Sequence, residues 1–143
     1  MSATIANVSC VAVGGRDALR GVLIEGAPGS GKSSLALALI DRGAVLVGDD
    51  AVTLESRDGR LHAAPPPNIA GLIEIRNVGL VELPAVSAPL ALVIRLDPAA
   101  PRYIDAAGRV ERAGHALPLV ALFPDSPVLA LRAEHALQRY GLG

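Results

Sequence analysis

Several residue types are nearly missing from this 143-residue chain: it has one cysteine, one lysine, one phenylalanine, two tyrosines and no tryptophan. Cys10 alone cannot build an internal disulfide framework, which fits a reducing, cytoplasmic setting. Aromatic residues make up 2% of the chain and the formal net charge is −1, with no basic block. Base stacking and phosphate-backbone contacts are both poorly served, which argues against a general nucleic-acid binder. No apolar run approaches the roughly 20 residues needed to cross a bilayer, so no membrane partner is expected. The opening "MSATIANVSC" lacks the basic-then-apolar pattern of a secretory signal. His62, His115 and His135 lie too far apart for metal-ligand spacing. What is plentiful is aliphatic: 51% of residues are hydrophobic. The core must therefore be built from Val, Leu, Ile and Ala, in one domain spanning residues 1–143.

The apolar runs are short and read mainly as strands. Residues 4–13 form one, "GGRDALR" punctuates the chain, and "GVLIE" (21–25) forms another. Lys32 to Arg42 are strong helix formers, with Gly43 where a helix-ending glycine belongs. Leu35, Leu37, Leu39 and Ile40 surround that helix, so more than one of its sides is expected to be buried. "AVLVG" (44–48) is a strand ending at Asp49-Asp50, and "VTLESRDGRLHAA" reads as a hairpin turning at Asp58-Gly59. "LIEIRNVGLVEL" and "LALVIRL" are two further strand-like segments, residues 97–115 are loop-rich, and "ALPLVALF" (116–123) is a late strand. Ser126-Pro127 reads as the cap and first residue of a helix running to about Tyr140, stopped by Gly141. The expected class is mixed, strand-rich α/β without regular strand–helix alternation.

The single lysine falls in "GAPGSGKS". Gly26, Ala27, Pro28, Gly29, Ser30, Gly31, Lys32 and Ser33 satisfy G-x-x-x-x-G-K-[ST] at every fixed position, between a strand and a helix. Glycines let backbone N–H groups curl around phosphate oxygens, and the helix turns its positive end toward them. Lys32 would reach the β- and γ-phosphates, and the Ser33 hydroxyl would ligate Mg²⁺. This chain is expected to bind a phosphate-rich nucleotide. No N-K-x-D base-reading motif accompanies it, which argues against a GTPase.

Asp49 and Asp50 end the next strand. Neighbours on an extended strand point to opposite faces, so the two should not share one job. One can hold Mg²⁺ as a Walker-B-like carboxylate or take a proton from an attacking hydroxyl, while its neighbour supports metal or structure. A plain polar turn is the alternative. Glu74 and Arg76, two apart, would share a strand face. They could hold Mg²⁺ and neutralise phosphate oxygens, or form a surface ion pair, and spacing leaves both open.

Taken together, "GAPGSGKSSLALALIDRGAVLVGDDAV" and "GLIEIRNVGLVEL" resemble the catalytic domain of bacterial HPr kinase/phosphorylase, in the short form found in α-proteobacteria. That resemblance implies a P-loop fold of the phosphoenolpyruvate-carboxykinase-like type. It implies transfer of the γ-phosphoryl of ATP, with Mg²⁺, to a serine of the phosphocarrier HPr. The same site would run the reverse phosphorolysis, and the assembly would be hexameric. By position, Asp49 matches the carboxylate that accepts the serine proton. Asp50 matches its supporting neighbour and a metal-side group, Glu74 the acidic residue near Mg²⁺, and Arg76 the arginine beside it. Ser34 flanks the cradle, where the family prefers an acidic residue.

The chain also departs from the family's pattern. Asn7 stands where a histidine is usual, and Asn77 replaces the first glycine of E-I-R-G-x-G. If position 77 needs φ > 0, Asn is the least costly substitute. The partner-gripping loop is reduced to "APRYIDAAGRVERAG", where Arg102, Arg109 and Arg112 could receive an acidic partner or simply be solvated. Two alternatives to an active HPr kinase follow: a nucleotide- or phosphate-sensing module that has lost transfer, or a small-molecule kinase on the same scaffold.

Overall fold

The computed structural model describes residues 2–14 and 18–143 of the chain. Its spine is β9 (Ala88–Leu96), an apolar strand buried along nearly all its length. β3 (Arg20–Gly26) lies parallel to it on one side, pairing Ile24 with Ile94 and Gly26 with Leu96. β2 (Ser9–Val13) and then β4 (Val45–Gly48) extend the sheet antiparallel beyond β3. The other edge of β9 is shared. Its first residues pair with β6 (Arg60–Ala64), and Val93 to Leu96 pair parallel with β11 (His115–Leu122). β5 (Ala51–Arg57) and β1 (Ser2–Ala6) continue outward from β6, while β10 (Gly108–Arg112) pairs with β11. β7 (Leu72–Ile75) and β8 (Gly79–Glu82) form a separate two-stranded sheet.

Adjacent side chains on β2, β3 and β9 alternate between two cores, which is why these strands read as unbroken apolar runs. Val11, Val22, Ile24 and Ile94 face α1 (Lys32–Asp41) and α2 (Leu129–Tyr140). Cys10, Ala12, Leu23 and Val93 face the other way, against Leu54, Leu61 and Ala63 of the β5–β6 hairpin. α1 buries Leu35, Ala36 and Leu39 fully and half-buries Leu37 and Ile40, as its apolar circumference implies. The strand-rich, non-alternating architecture matches expectation, as do the Asp58-Gly59 turn (φ 53° and 76°) and Gly43 after α1 (φ 109°). No described helix is long and apolar enough to cross a membrane.

Four expectations need correction. Residues 4–13 are not one strand, because Asn7 adopts φ 62° and divides β1 from β2. "LIEIRNVGLVEL" is a hairpin; Arg76 and Asn77 occupy its turn, with Asn77 at φ 71°, so Glu74 and Arg76 do not share a strand face. The loop-rich stretch 97–115 contains β10, which its alternating charges had disguised. α2 starts at Leu129 instead of Pro127, because the Ser126 hydroxyl accepts the Val128 N–H in a turn before the helix. The punctuating "GGRDALR" falls partly outside the described residues, since 15–17 are not among them.

Candidate active site

β3 delivers the chain into the cradle with its last residue, Gly26, beside Leu96 of β9. Gly29 and Gly31 then adopt φ 78° and 103°, conformations that suit glycine, and open space surrounds the side-chain position of each. The loop is closed by the Ser30 N–H donating to the Ala27 carbonyl at 3.0 Å. α1 begins at Lys32 with no side-chain cap and no acidic residue in its first turn, leaving its positive end for an external acceptor. The Lys32 ammonium donates to the Gly26 and Ala27 carbonyls at 3.0 and 3.1 Å. The Ser30 Oγ is buried with no hydrogen-bond partner. Uncapped N–H groups at the start of α1 and a lysine whose partners, among the described residues, are loop carbonyls together fit an anionic, oxygen-rich group; the Ser30 hydroxyl is turned away from the cleft.

Asp49 and Asp50 follow β4 but do not alternate as strand neighbours do. Asp49 is buried, at 7% exposure, whereas Asp50 is exposed with φ 64°. Three donors engage the Asp49 carboxylate: Ser33 Oγ at 2.6 Å and Ser9 Oγ at 3.0 Å on Oδ1, and the Glu74 N–H at 3.1 Å on Oδ2. One carboxylate thus ties the main sheet, the first turn of α1 and the β7–β8 hairpin together. The Asp50 carbonyl accepts the Asn7 N–H at 2.7 Å, which fixes its left-handed backbone. The polar-turn alternative accounts for Asp50's conformation but not for three donors on a buried Asp49.

These elements surround an open cleft of about 460 Å³, lined by Asn7, Pro28, Gly29, Gly31, Lys32, Ser33, Ser34, Asp49, Asp50, Glu74 and Arg76. Of the expected site residues, Gly26, Ala27 and Ser30 lie outside that lining; the first two contribute carbonyls to Lys32 instead. Glu74 reaches Asp49 through its peptide N–H, and its side chain is exposed, as is Arg76's. Among the described residues no three His, Cys, Asp or Glu side chains converge to hold a cation. The expected metal set of Ser33, Asp50 and Glu74 is therefore not a closed protein cage. A Mg²⁺ here fits only as an open-sided ion sharing its coordination with phosphates and water, the form this small, strongly hydrated cation favours.

Sequence reasoning missed two contributors. Ser9 carries no motif, and its one signal is being the polar residue within the apolar "VSCVAV". Glu25, next to the cradle, holds Arg112 by a paired contact at 2.8 and 2.7 Å, with Arg95 at 3.6 Å. That hydrogen bonding raises the Arg112 pKa above its ordinary value and ties this arginine to Glu25. Arg102, Arg109 and Tyr103 are exposed on the surface. Burial pushes the Cys10 thiol far above its usual range, which makes it inert.

The fold and cleft define a P-loop domain whose cradle faces a strand-end aspartate pair. The family model described as the HPr Serine kinase C-terminal domain matches residues 7–88. The chain belongs to that family. The HPr kinase/phosphorylase of Clostridium novyi is 46% identical over 66 residues, covering 46% of this chain and 22% of the relative; that of Clostridium tetani is 42% identical over the same length. The matched stretch thus spans about a fifth of these relatives. A solved structure titled as the Hpr(Ser) kinase/phosphatase from Coxiella burnetii superposes with a TM-score of 0.77 at 29% identity, covering 95% of this chain and 88% of that one. Its agreement extends beyond residue 88, over the late strands and α2, and supports the strand-rich P-loop fold expected from the resemblance.

Proposed function

We propose that this chain is an ATP-dependent protein serine kinase domain. It would transfer the γ-phosphoryl group to a serine of HPr and run the reverse phosphorolysis at the same site. The observation that carries this reading is the junction at Asp49. A buried carboxylate accepts from Ser33 of the cradle and from the Glu74 N–H of the β7–β8 hairpin, so nucleotide and acceptor chemistry would meet at one group. Lys32 would leave the loop carbonyls for the β- and γ-phosphates. The Ser33 hydroxyl donates its proton to Asp49, leaving oxygen lone pairs that would be free to hold Mg²⁺ together with Asp50 and Glu74 of the cleft lining. Mg²⁺, when bound, supplies neutralisation of phosphate charge.

In the forward direction the acceptor serine oxygen bonds to the γ-phosphorus as the bond to the β-phosphate oxygen breaks. The serine proton passes to Asp49. Oδ2 of Asp49 accepts one N–H and keeps a further lone pair for that proton. In reverse, an oxygen of inorganic phosphate would bond to the phosphoserine phosphorus as the serine O–P bond breaks, forming pyrophosphate, and Asp49 would pass the attacking phosphate's proton to the departing serine oxygen. Arg76 at the hairpin turn would steady the transferring oxygens. HPr as partner, ATP and Mg²⁺ as cofactors, a hexamer of copies and a cytoplasmic location all belong to this proposal.

Intact-mass spectrometry of HPr incubated with the protein and Mg²⁺-ATP tests it, beside Asp49→Asn. One added phosphate on a serine with wild type, and none with the variant, is expected. Nucleotide binding without modification of HPr would overturn the kinase reading in favour of a sensing module.

A further inference from the structure

Ser9 belongs to no nucleotide-binding motif, yet it is fully buried and its hydroxyl donates to Asp49 Oδ1 at 3.0 Å. We propose that Ser9 is a positioning residue that holds the Asp49 carboxylate in its working orientation. This inference rests on the phosphoryl-transfer reading above.

The three donors on Asp49 come from elements of different kinds. Ser33 lies at the start of α1, beside the cradle, and its oxygen has a second task once a cation binds. The Glu74 N–H comes from a two-stranded sheet that stands apart from the main one. Ser9 is the only one of the three on the nine-stranded sheet. It pairs with Ile24 of β3, the strand that feeds the cradle, and its neighbour Cys10 pairs with Gly48, the residue before Asp49. The β2–β4 register shifts between Cys10 and Val11, directly beside this point. Ser9 is thus framed by the strand leading to the lysine and the strand leading to the carboxylate. An aspartate has two side-chain torsions to restrain, and a donor on a rigid strand restrains them whether or not the loop and hairpin are engaged with ligand. The alternative is that Ser9 is only a buried hydroxyl that has found an acceptor.

The experiment separates these. Ser9→Ala should lower kcat for HPr phosphorylation about tenfold with KM for ATP within about twofold, the scale of one lost hydrogen bond to a charged acceptor. Ser9→Thr keeps the Oγ and should restore kcat. Independently of catalysis, the gain in affinity that Mg²⁺ gives a fluorescent ATP analogue should fall in Ser9→Ala, and should fall no further when Ser9→Ala is added to Asp49→Asn. If Ser9→Ala lowers only the melting temperature, or if its effect on Mg²⁺-dependent affinity adds fully to that of Asp49→Asn, the inference is overturned. Should Ser9→Ala not fold, Ser9→Cys, close in size but a weak donor, carries the same comparisons. A wild type that binds Mg²⁺-nucleotide without phosphorylating HPr sinks the kinase reading alone, because the affinity cycle still reports on Ser9 and Asp49.

Discussion

The peptide N–H of Asn7 donates to the Asp50 carbonyl oxygen at 2.7 Å, and both residues hold left-handed backbones, φ 62° and 64°. The β1–β2 and β4–β5 junctions are therefore tied together at the lip of the cleft. Asn and Asp tolerate this conformation better than other side chains, and a β-branched residue tolerates it least. Asn7→Val should cost about 1–2 kcal/mol and lower the melting temperature by several degrees, whereas Asn7→Gly should stay close to wild type. Thermal unfolding of the two variants checks this.

Asp49→Asn should fail in two separable ways. The Asn carboxamide cannot accept from Ser9, Ser33 and the Glu74 N–H together; with its oxygen on Glu74, both hydroxyls must turn from donors to acceptors and the charge that strengthened these bonds is lost. A stability loss of about 1–3 kcal/mol is expected from denaturant titration. Phosphoryl transfer should drop below detection while nucleotide still binds, because Lys32 and the loop N–H groups remain.

For Lys32→Ala the pattern reverses. Among the described residues its ammonium meets only the Gly26 and Ala27 carbonyls, and the Ala27 contact is exposed, so stability should barely change. Nucleotide affinity should fall about tenfold to a hundredfold, the scale of a lost charged hydrogen bond to phosphate. Titration with a fluorescent ATP analogue is the measurement.

Arg112→Ala should loosen the base of the cradle. It removes two contacts to Glu25, whose side chain is 15% exposed, and leaves, among the described residues, the longer Arg95 pairing at 3.6 Å. The expected cost is about 1–2 kcal/mol, read as a lower urea midpoint at unchanged slope. Glu25→Gln, which keeps the shape and one acceptor, should cost less.

Much of the fold was legible because its signals are local. Gly43 ends α1 and Asp58-Gly59 turns a hairpin because each needs a positive φ within its own few residues. Asn77 at φ 71° belongs to the same group, and its departure from the glycine pattern is conformationally mild. The division of residues 4–13 was not legible. Nothing near Asn7 demands a break; its conformation is matched to a carbonyl 43 positions along the chain. β10 was hidden for a similar reason. Its arginines and glutamate read as loop, and only pairing with β11 and the Glu25–Arg112 contact reveals a strand.

The sequence alone determined the loop between β3 and α1, because its glycine pattern specifies positive-φ turns at Gly29 and Gly31 ahead of an uncapped helix start. From strand alternation it suggested different roles for Asp49 and Asp50, but the pair lies past the end of β4, where alternation does not apply. Tertiary structure decided how they differ: one is buried under three donors from three elements, while the other is turned outward by a distant backbone partner. Those choices depend on which strands lie side by side, and side-by-side placement follows from long-range pairing that no short stretch of the chain encodes.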